Sequence, residues 1–64
     1  MIKSIRLTCE WEYHAATVRS TLHDQGFDAE IVGDTDVVVN NTMGEQSDEF
    51  VLRVAHALPN LSGI

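Results

Sequence analysis

The spacing of apolar residues along this chain switches between the period of a strand and that of a helix. From Ile2 to Glu10 the residues alternate, with Ile5, Leu7 and Cys9 on one side and Ser4, Arg6 and Thr8 on the other. A period of two predicts a half-buried strand. At Trp11 the period lengthens. Trp11, Ala15, Val18 and Leu22 share one stripe of a helical wheel, and Tyr13, Thr17 and Ser20 lie opposite. This predicts an amphipathic helix laid over a sheet, running to Gln25. Gly26 then supplies the left-handed residue expected just past a helix end.

Beyond that stop the alternation returns. Phe27, Ala29 and Ile31 interleave with Asp28 and Glu30, and Val37-Val38-Val39 reads as the returning strand of a hairpin. Gly33-Asp34-Thr35-Asp36 between them is a turn cluster, because glycine accepts positive φ and aspartate bonds its own backbone. Asn40 and Asn41 close the strand. Thr42-Met43-Gly44-Glu45 has the spacing of a capping box, with Ser47 as a competing helix start. Glu45, Asp48 and Glu49 suit the positive end of a helix dipole. Phe50, Val54, Ala57, Leu58 and Leu61 form the second apolar stripe, and Pro59 ends the helix near Leu58.

The order β-α-β-β-α restricts the topology. Two parallel strands joined through a helix leave room for the hairpin partner to insert between them, antiparallel to both. The expectation is an α+β, two-layer sandwich: a split β-α-β arrangement, ferredoxin-like without its fourth strand. It has a three-stranded sheet and both helices on one face. Residues 1–64 would form a single small domain. The Val37–Val39 strand would be central, and the first strand would become an edge. The opposite face collects Ser4, Arg6, Thr8, Asp28, Glu30, Val38 and Asn40, polar enough to meet water, with Arg6 able to pair with Asp28 or Glu30. Val32 and Val38 are apolar exceptions there, and Leu52 falls on the polar side of its helix.

Size makes that edge important. A chain of 64 residues buries only about 60% of its unfolded surface, and its core supplies roughly 3–5 kcal/mol. A lone cysteine, Cys9, excludes an internal disulfide and suits a reducing compartment. Association is the remaining route to more buried area. No apolar run is long enough to span a bilayer, and the start lacks a basic-then-apolar leader, so a soluble cytoplasmic protein without membrane contact is expected. Ten acidic residues against four basic ones give a net charge of −6. Only Lys3, Arg6, Arg19 and Arg53 could meet phosphate, and they are scattered, which disfavours direct nucleic-acid binding.

The candidates for chemistry each have a simpler structural reading. Cys9 sits at a strand–helix junction where a thiol could be activated, yet its alternation with Ile5 and Leu7 predicts a packed small hydrophobe. His14 and His23 are nine residues apart, too far along one helix to share a metal ion, and His56 stands alone. His23 near a helix C-terminus is a favourable dipole partner. Asp34 and Asp36 form a D-x-D turn with too few oxygen ligands for calcium. No serine has a triad context, and Gly26, Gly33, Gly44 and Gly63 are isolated rather than a phosphate loop. No enzyme, metal or cofactor is expected.

Gly26-Phe-Asp-Ala-Glu-Ile-Val32 after an amphipathic helix, with Val37–Val39 before another, resembles small ferredoxin-like regulatory modules. These are the short signal-transducing proteins related in fold to PII-like regulators, and ACT-like domains. The resemblance covers about residues 2–58 and implies a ligand- or partner-sensing role with no catalytic residues. Heavy-metal-associated domains share the topology but carry a cysteine pair where this chain has only Cys9, which argues against metal transport.

The expected function is therefore a non-enzymatic interaction or regulatory protein acting through the first-strand edge at Lys3, Ser4, Arg6 and Thr8, most simply as a homodimer. Two other readings stay open. One is an acidic inhibitor or nucleic-acid mimic of phage or plasmid type, meeting a basic protein through Asp28, Glu30, Asp34 and Asp36. The other is a small-molecule sensor of PII or ACT type, with its ligand between two protomers.

Overall fold

A computed structural model describes residues 2–58. The elements are β1 (Ser4–Thr8), α1 (Glu12–Asp24), β2 (Asp28–Val32), β3 (Asp36–Asn40) and α2 (Ser47–Ala57). The sheet order is β1-β3-β2, and β3 runs antiparallel to both neighbours. This is the α+β split β-α-β arrangement, with β3 central.

Register places three rows across the open face: Ser4, Asn40 and Asp28; Arg6, Val38 and Glu30; Thr8, Asp36 and Val32. The alternate rows face the helices: Ile5, Val39 and Ala29; Leu7, Val37 and Ile31. A strand's period of two separates these sets. The core joins Ala15, Val18 and Leu22 of α1, Ala29 of β2, Val37 and Val39 of β3, and Phe50 and Val54 of α2. Both helices therefore pack on one face. Phe27 and Phe50 close one end, ring centroids 6.4 Å apart, with the Arg53 guanidinium 4.7 Å above the Phe27 ring.

β1 contributes nothing fully buried. Ile5, Leu7 and Cys9 pack against the core but stay half-buried, whereas Val37 and Val39 beside them are wholly enclosed. The first strand is also shorter than the alternation of Ile2–Glu10 predicts.

Several local expectations are corrected. Trp11 does not join the buried stripe and is 53% exposed. It occupies the extended N-cap position, so its side chain leaves the helical stripe and stacks on Tyr13 instead. The capping box at Thr42–Glu45 does not form, because α2 starts at Ser47 and Gly44 adopts a left-handed φ of 66° that no helix continues through. Asn41 organises this loop. Its Oδ1 accepts from Glu45 N–H at 3.0 Å, and its Nδ2 donates to the carbonyls of Glu45 at 2.8 Å and Ile2 at 3.0 Å. Ser47 Oγ accepts from Ile2 N–H at 2.9 Å rather than capping its own helix. Glu45 turns to Arg53.

Gly26 takes the left-handed stop as expected, at φ 89°. Asp36, read as a turn residue, opens β3. Phe50 and Val54 fill the second stripe, Ala57 and Leu58 flank it, and Leu61 and Pro59 lie outside the described residues. Among the described residues no helix is long and apolar enough to cross a membrane.

Phe50 is the largest fully buried side chain. Phe50→Ala should remove about 3–5 kcal/mol, comparable to everything a core of this size supplies. Circular dichroism of the variant in urea is expected to show no cooperative transition at 25 °C. Leu52→Ala, at a position 58% exposed, should keep the wild-type midpoint.

Candidate functional site

Antiparallel strands exchange bonds only at alternate residues. Asn41 N–H donates to the Lys3 carbonyl at 2.8 Å, and Cys9 N–H donates to the Thr35 carbonyl at 2.9 Å. These two bonds set the phase of the β1–β3 ladder. Ile5 and Leu7 turn their amides and carbonyls toward β3, and Ser4, Arg6 and Thr8 turn theirs outward. Among the described residues, no strand or side chain bonds to those outward groups. Lys3 lies just before β1, with its carbonyl already taken by Asn41.

The same phase runs through β3 to the other edge. Asp36, Val38 and Asn40 serve β2, so Ala29 and Ile31 point their backbone groups away from the sheet. This second edge is partly occupied. The His23 ring nitrogen Nε2 donates to the Ala29 carbonyl at 2.8 Å, and Phe27 N–H donates to the Leu22 carbonyl at 2.9 Å. His23 thus does more than sit near the helix C-terminus: it covers a strand carbonyl. No local pattern announces this contact, since only the fold of α1 against β2 brings the two residues together.

On the open face, Arg6 does not meet Asp28 or Glu30. Those carboxylates belong to β2, and β3 lies between. Arg6 instead reaches Asp36 on the neighbouring strand, with Nε and Nη2 both 2.6 Å from Oδ2. Asn40 Nδ2 donates to Asp28 Oδ2 at 3.3 Å. Of the acidic candidates, Asp28 and Glu30 are exposed on this face, Asp36 is half-buried under Arg6, and Asp34 is exposed in the turn. Three of them share a face with Arg6, which interrupts their negative field.

Cys9 is free and half-buried. Burial pushes its thiol up from the ordinary range, and the Asp36 carboxylate adds to the shift. A nearby helix start would favour a thiolate, but desolvation and the like charge win. His14 Nε2 is buried without a hydrogen-bond partner in the described structure, its ring edge-on to Tyr13 at 4.4 Å. Among the described residues no three His, Cys, Asp or Glu side chains converge on a possible metal position.

Compared with known proteins, the chain finds no match to a family model, a curated protein or a solved structure.

Because its thiolate is disfavoured, Cys9 should alkylate with iodoacetamide more slowly than free cysteine at pH 8. Asp36→Asn removes the repelling charge and should speed the reaction at the same pH. His23→Ala leaves the Ala29 carbonyl without its donor and should lower stability by about 1 kcal/mol in urea titration, with His23→Gln recovering part of the loss.

Proposed function

We propose that this domain is a non-enzymatic interaction or regulatory module that binds through the outer side of β1, and that its partner is a second copy of itself. The carrying observation is the row of outward N–H and C=O groups on Ser4, Arg6 and Thr8, lying beside apolar residues of the same strand that remain half-buried. A strand edge of this kind is a template for another strand. Pairing it would also extend a core that is small for an isolated chain.

Charge sets the conditions. Each copy carries −6, so two copies repel at long range, and salt should strengthen their association by screening. Arg6 is the one charged residue of β1 and Lys3 lies just before it, so the strand itself carries none of the chain's acidic residues. Binding by backbone pairing needs no pocket, metal or catalytic group.

Light scattering on the purified protein at tens of micromolar in moderate salt is expected to give a dimer mass. Arg6→Pro deletes an outward amide, a change an edge strand tolerates, and should give a folded monomer. Arg6→Ala should remain dimeric, separating the backbone effect from loss of the side chain. Leu7→Pro deletes an amide of the β1–β3 ladder and should unfold the domain. A wild-type protein that stays monomeric throughout would defeat this reading.

A further inference from the structure

Resting on the homodimer proposed above, we infer that the two β1 strands pair antiparallel about a twofold axis at Arg6, and that Asp36 keeps this register open by drawing the Arg6 guanidinium off the edge. The register follows from the phase of the ladder. The outward-facing residues are Ser4, Arg6 and Thr8, symmetric about Arg6. Placing Arg6 against Arg6 of the second copy sets Ser4 against Thr8, and every outward donor and acceptor of the three residues finds a partner. A slip in either direction leaves some of them unmatched.

The same register brings Ile5 directly opposite Leu7 of the second copy, on the helix-covered face. These are non-hydrogen-bonded pairs, the closer kind, where apolar side chains interact best. Both residues are half-buried in the single chain, so the pairing covers apolar surface that one copy cannot cover alone. On the open face Ser4 meets Thr8, a favourable cross-strand hydroxyl pair.

One contact opposes this register. Two arginines directly opposite each other repel. Asp36 answers that repulsion in two ways. Its carboxylate neutralises the guanidinium at 2.6 Å. It also stands on β3, on the inner side of β1, so the Arg6 side chain folds back across its own sheet and away from the axis. On the outer edge of β2 the Ala29 carbonyl is already bonded by His23, so that edge presents fewer free groups.

Isotope-filtered NMR on a mixed labelled and unlabelled sample tests the register: a Hα–Hα contact between Ile5 of one copy and Leu7 of the other is expected. Such contacts in a different pairing would overturn it. Asp36→Asn should weaken dimerisation about tenfold at low salt, with the loss restored in the Asp36→Asn/Arg6→Gln double variant and reduced at high salt. An Asp36→Asn protein that dimerises like wild type, in the expected register, would overturn the role of Asp36 while leaving the dimer standing. A wild-type monomer whose Ser4, Arg6 and Thr8 amides lose exchange protection only when residues 59–64 are deleted would assign the edge to the chain's own end, and overturn both.

Discussion

Everything in this domain hangs on β3 being hydrogen-bonded on both sides. Val37 and Val39 turn their backbone groups to β1 and their side chains to the helices; Asp36, Val38 and Asn40 serve β2 and the open face. A residue in an antiparallel ladder points both of its backbone groups the same way. One central strand therefore dictates which residues of each outer strand are satisfied and which face outward. It also fixes which side chains are buried, since Val37 and Val39 form the floor on which Leu22, Phe50 and Val54 rest.

The two edges of the sheet differ because the helices treat them differently. α1 ends close enough to β2 for His23 to bond the Ala29 carbonyl, and Phe27 is tied back to Leu22. Among the described residues, the tie at β1 is at its start, where Asn41 and Ser47 hold the backbone of Ile2. The middle of β1, among the described residues, keeps its outward groups free and its apolar residues half-covered. Arg6, through its pair with Asp36, belongs to the sheet face more than to the edge.

Legibility varied with the range of the interaction involved. Val37–Val39 was readable as a strand, and Gly26 as a helix stop, because each depends on residues close in sequence. Trp11 misled, since a helical stripe extended one residue too far includes a cap position whose backbone is extended. Thr42–Glu45 misled for a related reason: the spacing of a capping box is present, but Asn41 takes the Glu45 amide and Gly44 turns the chain left-handed. Arg6 was matched to the wrong carboxylates because strand order, not alternation, decides which neighbours touch.

Alternation and helical period, by themselves, determined the order of elements and the face that most apolar residues take, because these follow from backbone repeat and side-chain transfer from water; the edge position of the first strand followed from the crossover rule applied to that order. The tertiary structure decided the phase of the ladder, the pairing of Arg6 with Asp36, the bridging role of Asn41 and the cover that His23 places on Ala29. Each of those joins groups whose meeting depends on how whole elements are placed, and no local repeat in the chain encodes that placement.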